Sequence, residues 1–283
     1  MRRALDRGLH IVCALCALAA VSLLAGIVVT ILGRGLPVID WSFLFSATGE
    51  TAGSGGVLFQ LLGTLLLLFT TLVVSAPLAL GWALAQTVFS PGPLWQRGLR
   101  RLLYALNTVP SILFGIFGLI VFVKYLGWGK SWLAGGILLA MMILPTITVA
   151  WVERIEALPA KYGRAAAGLG LSRGQIVRSV ILPQTWGGGL SGALLGLARA
   201  AGETAPILFT AAVFSGATLP TGVRESPVLA LPYHIFVLAQ DSFDPATGGH
   251  LWGSAFVLLA TVLGLSLIAL PWRLGLAEEA THG

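Results

Sequence analysis

Residues 179–223 read SVILPQTWGGGLSGALLGLARAAGETAPILFTAAVFSGATLPTGV, an apolar run whose only ionisable residues are Arg199 and Glu203. A run of this length holds the roughly 20 residues that carry a helix across a bilayer core. An ionisable group at that depth costs free energy, so the pair is a candidate functional site. The spacing of four puts both side chains on one helix face, where they can neutralise each other in the protein interior. Two readings stand from these residues: the pair serves a pathway, or it locks helix packing. Gly188, Gly192, Gly196, Ala200 and Thr204 recur at every fourth position, a ridge of small residues that lets another helix approach closely. The adjoining ridge is Gly187, Ser191, Leu195, Arg199 and Glu203, so one face is built to pack and its neighbour carries charge.

The rest of the chain has the same character. Of 283 residues, 57% are hydrophobic and 10% charged, which excludes a soluble globular domain. Uncharged stretches at 11–33, 51–96, 102–123, 131–152 and 251–272 join the Arg199/Glu203 segment to predict six transmembrane helices, an all-α polytopic fold in one domain spanning 1–283. The apolar stretch 227–240 is too short to span and is interrupted by Pro232 and His234, so an interfacial or re-entrant element is expected there. Arg2, Arg3 and Arg7 precede the first run, but no small-x-small cleavage pattern follows, which makes it an uncleaved helix. Pro77 falls midway along the second run and predicts a kink, or a break into helix plus interfacial turn.

Twelve of the 17 basic residues fall on one side of these spans: Arg2, Arg3, Arg7, Arg97, Arg100, Arg101, Arg154, Lys161, Arg164, Arg173, Arg178 and Arg273. Only Arg34, Lys124, Lys130 and Arg224 fall on the other, so both termini are expected in the cytoplasm, with loop 153–183 cytoplasmic and loop 216–250 external. The net charge of +6 then reflects topology and an anionic leaflet rather than nucleic acid.

Loop 153–183 reads as two short helices. Pro159 suits a first turn before residues 160–167, Gly168 and Gly170 supply a break, and Ser172-Arg173-Gly174-Gln175 has the pattern of a capping box. The second helix is expected to end at Leu182, stopped by Pro183. Such a basic element is either a docking knob for a soluble partner or a solvated loop. Other patterns are weaker. Gly129-Lys130-Ser131 lacks the first glycine of a phosphate-binding loop, its place being taken by Lys124, and Cys13 and Cys16 read as small packing residues within the first span. The four histidines are too scattered for a metal site, and no nucleophile has a base, so the chain reads as a transporter or scaffold and not an enzyme, with no cofactor.

Three stretches resemble the inner-membrane permeases of binding-protein-dependent ABC importers, and within them the PstA-type phosphate permeases. Arg199, Gly202-Glu203-Thr204-Ala205-Pro206 and Leu208-Phe209-Thr210 are similar to that family's R-x-x-GETAP-x-LFT signature. Residues 109–119, VPSILFGIFGL, are similar to its VPSI-x-FG-x-FGL helix, and residues 170–183 to the second half of the loop with which these permeases touch their ATPase. Arg164, followed by Ala165 and Ala166, stands where that loop carries a glutamate, implying a charge-swapped partner surface. The resemblance implies a MetI-like type I importer permease in the bacterial inner membrane. It implies a second permease of the PstC type, two PstB-type ATPases, a periplasmic phosphate-binding protein and inorganic phosphate as substrate, in contact with membrane lipid and no nucleic acid. Arg199, Glu203 and Thr204 would serve translocation. Arg164, Ala165, Ala166, Gly170, Ile181, Leu182 and Pro183 would couple to the ATPase. A permease for molybdate or sulfate, and a membrane scaffold or signalling subunit, are the alternatives.

Overall fold

A computed structural model describes residues 2–47, 49, 54–214, 219–240 and 245–281, with side chains described between residues 9 and 271. Its contacts group into two compact units, Met1–Leu58 with Leu238–Val257, and Phe59–Val237 with Leu258–Gly283. Helix dominates both, and among the described residues extended pairing is confined to isolated bridges such as Ala212–Val228.

The first unit begins with α1 (Arg2–Gly35), whose candidate span buries none of its residues in the chain. Cys13 and Cys16 are exposed on it, so they are not the packing residues their small size suggested. After a 3-10 turn at Leu36–Val38 comes α2 (Trp41–Phe45), capped by Asp40. The Asp40 carboxylate accepts from the Phe43 amide at 2.6 Å and from the Ser42 hydroxyl at 2.8 Å, and these donors hold its carboxyl below the usual carboxylate range. Within this unit Gly35 meets the start of α12 (Pro245–Thr281), where an added Cβ would come within 2.5 Å of the Trp252 carbonyl oxygen. The Arg34 guanidinium lies 5.1 Å from the Trp252 ring centre.

The second unit holds most of α3 (Leu58–Thr87), then α4 (Pro93–Thr108), α5 (Ser111–Gly118) with a π-helical extension Leu119–Tyr125, and α6 (Trp132–Glu156). It continues through α7 (Ala160–Gly168), α8 (Arg173–Ile176), a π-helical stretch Val177–Ile181, α9 (Leu182–Ala201), α10 (Ala205–Thr210) and most of α11 (Leu231–Gln240). Its core is built on α6, whose Leu138, Leu139, Ile143 and Ile147 are buried to 2% exposure or less. The glycine ridge of α9 closes on that helix: Gly192 faces Ala150, Gly196 faces Ile143 and Ile147, and Gly189 lies against the Trp151 ring. In a bilayer such close packing, rather than release from water, drives helix association.

Among the described residues, four helices are long and apolar enough to cross a membrane: those covering Leu9–Val38, Leu58–Thr87, Trp132–Glu156 and Thr247–Pro271. A fifth candidate is the pair α4 and α5, bent by 93°. The six apolar runs therefore do not become six straight spans. The third run turns at Val109-Pro110, since the residue before proline is pushed out of helical geometry, and Val109 has ψ 124°. The fifth run, rich in glycine and carrying Arg199, gives α9, which is not among the four. Pro77 breaks nothing, for α3 runs through it as one helix. The stretch 227–240 resolves into the ten-residue α11, with Leu231 and Leu238 fully buried.

Candidate translocation break and coupling surface

Helix α9 does not reach Glu203. It ends at Ala201, and the Gly202 and Glu203 amides close the last turn on the carbonyls of Arg199 and Ala200, both at 3.1 Å. Thr204 is the N-cap residue of α10, with no side-chain capping bond, and Pro206 sits in the first turn, where its missing N–H costs nothing. The GETAP stretch is thus a break between two helices. Arg199 and Glu203 bridge it: Arg199 Nε is 3.7 Å from Glu203 Oε1.

The pair is not enclosed as the spacing alone suggests. The Arg199 side chain, in the last turn of α9, is 46% exposed and that of Glu203, beyond its end, 20%. Arg199 faces out of the chain, and among the described residues Glu203 is its one carboxylate partner. Glu203 points inward and borders a gap of about 10 Å³, the size of one water, among Thr64, Leu67, Leu139, Ile207 and Pro232.

The far end of α10 is held by residues outside the 179–223 run. Lys130 Nζ donates to the carbonyls of Leu208 at 3.1 Å and Ala212 at 3.3 Å, placing a cation where the C-terminal carbonyls concentrate negative charge. The Ser131 amide donates to the Thr210 carbonyl at 2.8 Å. Helix α5 packs on the same element through glycines: a Cβ on Gly115 would lie 2.7 Å from the Ala205 carbonyl oxygen, and one on Gly118 would lie 2.6 Å from Thr210 Cγ2. The 109–119 and 198–210 motifs are therefore one packed structure. Gly115 and Gly118 stood in the first motif and their three-residue spacing was the available signal. Lys130 stood in the sequence as one of four external basic residues and in an incomplete phosphate-loop pattern, neither of which points to α10.

The coupling residues gather on a separate surface. Arg164, Ala165 and Gly170 are exposed, while Ala166 is buried, so α7 presents Arg164 outward and seats itself through Ala166. Gly170 has φ +78°, the left-handed turn that glycine adopts at no steric cost. The capping box forms, with Ser172 N donating to Gln175 Oε1 at 2.8 Å and Gln175 N to Ser172 Oγ at 3.4 Å. Pro183 does not stop the helix. The Leu182 amide donates to the Val177 carbonyl five residues back, a widened turn, and Pro183 enters the first turn of α9. Ile181 and Leu182 are half-buried in that junction, and Pro183 is exposed.

Comparison with known proteins bears on this arrangement. Residues 76–271 match the model of the family described as binding-protein-dependent transport system inner membrane component. The chain belongs to that family. It is 35% identical over 93% of its length to a probable phosphate transport system permease protein PstA of Methanocaldococcus jannaschii, covering 90% of that protein. It is 32% identical to phosphate transport system permease protein PstA 2 of Mycobacterium bovis, covering 83% of this chain and 79% of that one. A probable ABC transporter permease of Bacillus subtilis, YqgI, is 27% identical over 90% of both. Among solved structures, an inward-facing MetNI methionine ABC transporter superposes with a TM-score of 0.56 at 16% identity, over 76% of this chain and 96% of that chain, which shows a shared fold. The chain is accordingly an all-helical, multi-pass permease of the ABC importer type.

Proposed function

We propose that the chain is the transmembrane permease subunit of an ATP-driven phosphate importer. It would form half of the pathway beside a second permease of the PstC type, above two PstB-type ATPases and below a periplasmic phosphate-binding protein. The observation that carries this reading is Arg199: an always-charged fork at a helix break, half exposed, with one carboxylate at 3.7 Å among the described residues. A phosphate oxyanion entering a low-dielectric passage needs such a multi-donor cation. Glu203 occupies Arg199 when no anion is present, and Thr204 adds a hydroxyl at the start of α10. Names of relatives that specify phosphate support this choice of anion over molybdate or sulfate, and family membership leaves the scaffold reading without support.

In the same reading 1–283 acts as one permease domain in the plasma membrane, with both termini cytoplasmic. The exposed turn around Arg164, Ala165, Gly170 and Pro183 meets the ATPase, and the permease itself hydrolyses nothing. The test is uptake of radiolabelled phosphate by cells carrying this permease with its partner subunits. Arg199→Lys should reach the membrane and import poorly, because a point-charge ammonium does not reproduce the guanidinium fork. Import at the wild-type rate by Arg199→Lys and by Arg199→Gln would overturn the role given to this residue.

A further inference from the structure

Helix α4 is two-sided, and the chain covers part of its apolar side while leaving the rest bare. Going round its axis at about 100° per residue, Leu99, Leu103 and Leu106 face the chain, Leu103 buried and the other two half-buried. Beside them lie Trp95 and Leu102, 50% and 55% exposed, and then Gly98, Ala105 and Leu94, the last 77% exposed. Nothing lies within 4 Å of a Cβ added to Gly98, so the middle of this arc is open. Arg101 and then Arg97 border the arc on its far side, both exposed. Arg100 turns back to the chain and pairs with Glu156 at 3.4 Å, whereas among the described residues neither Arg97 nor Arg101 has a carboxylate partner. Arg97 Nε donates to the Pro93 carbonyl of its own helix at 3.2 Å, which leaves its charge uncompensated. The 93° bend at Val109-Pro110 sets the direction of the helix. Arg97, Arg100 and Arg101 oppose its crossing the bilayer core, while α5 carries no charge and packs against α6. With α5 directed into the bilayer beside α6, a right-angled α4 runs along the membrane surface.

We propose that α4 is an in-plane anchor that docks on anionic phospholipid: Leu94, Trp95 and Leu102 enter the acyl boundary, and Arg97 and Arg101 bind the phosphodiester headgroups at its edge. The order of residues round the helix favours lipid over a second protein. Acyl chains cover the open apolar arc, and their phosphates then stand where the two guanidiniums without carboxylate partners are, with bidentate geometry available to each. Free phosphate would meet the arginines but would leave the apolar arc in water. The Arg100–Glu156 pair joins α4 to the end of α6, and α6 leads through Pro159 into α7, so lipid charge bears on the root of the coupling element. The inference rests on the membrane character of the chain and not on which anion it carries.

The experiment uses the full-length permease with its partner subunits in nanodiscs, with Cys13 and Cys16 changed to serine and a bimane fluorophore on Leu102→Cys. Quenching is compared between discs in which either the phosphatidylglycerol or the phosphatidylcholine of an equimolar mixture carries brominated acyl chains. At low salt brominated phosphatidylglycerol should quench at least twofold more strongly, and about 0.5 M NaCl should bring the two lipids close to equality. Arg97→Gln/Arg101→Gln should equalise them at low salt, while Arg97→Lys/Arg101→Lys, which keeps the charge, should retain most of the preference. Should the glutamine variant fail to assemble, the salt comparison decides the same point on the arginine-bearing protein. No quenching by either lipid would mean that a protein subunit or water covers this face, and equal quenching at low salt that the helix enters the bilayer without selecting its charge. Either result would overturn the proposal, as would a preference that survives both salt and the glutamine changes.

Discussion

Arg199 and Glu203 illustrate how a spacing can be right and its environment wrong. The four-residue interval does bring the two groups together, but the helix ends at Ala201, so the pair spans a turn and Arg199 is half exposed. An ion pair that open contributes about 0–1 kcal/mol to stability. The double variant Arg199→Gln/Glu203→Gln is therefore expected to assemble normally, with membrane levels and thermal midpoint near wild type, and to import phosphate at least tenfold more slowly. Uptake near wild type in the well-assembled protein would reduce the pair to a packing contact. The residue type and spacing were legible in the sequence. The exposure was not, because it depends on where Gly202 ends the helix inside an apolar run that shows no boundary.

At the scale of elements, local signals were read well and angular ones were not. The α9 ridge from Gly188 to Ala200 and the Ser172–Gln175 capping box depend on neighbours within four residues and formed as expected, while Thr204, the ridge's last expected member, lies beyond the end of the helix. The 93° bend between α4 and α5 and the continuation of the helix through Pro183 depend on geometry that hydropathy does not encode. Gly192→Leu should overfill the α6–α9 contact against Ala150, costing about 1–3 kcal/mol and lowering the thermal midpoint of the purified permease. Gly98→Ala in α4, where nothing lies within 4 Å of an added Cβ, should leave it unchanged or raise it. In the coupling element Gly170 has open space around it but a left-handed backbone. Gly170→Val should then reduce recovery of the ATPase on co-purification, and Gly170→Asn, which tolerates that conformation, should largely retain it. Equal recovery for Val, Asn and wild type would place the docking surface elsewhere.

For the whole molecule, helix content and membrane character followed directly from composition, whereas the grouping into two units arises from contacts between residues far apart in sequence. Orientation rests on the twelve-to-four division of basic residues. With Cys13 and Cys16 changed to serine, a membrane-impermeant thiol reagent applied to intact cells should label Arg224→Cys and leave Lys161→Cys unlabelled. Asp241, another position in loop 216–250, lies outside the described residues. Labelling of Lys161→Cys would invert the orientation.

The widened turn at Val177–Ile181 gives this plan a mechanical consequence. Because it interrupts neither α8 nor α9, residues 173–201 form one rod from the capping box to the Arg199 break. It holds one residue more than a regular helical path needs, so it absorbs that residue and leaves the two ends nearly in phase. Removing Ser179 should tighten the turn to regular helix and keep ATPase stimulation, whereas one alanine inserted after Gln184, inside regular α9, should turn α8 about its axis by about 100° and abolish stimulation in a membrane-inserted permease. Normal stimulation by the insertion variant would mean that torsion along this rod carries nothing.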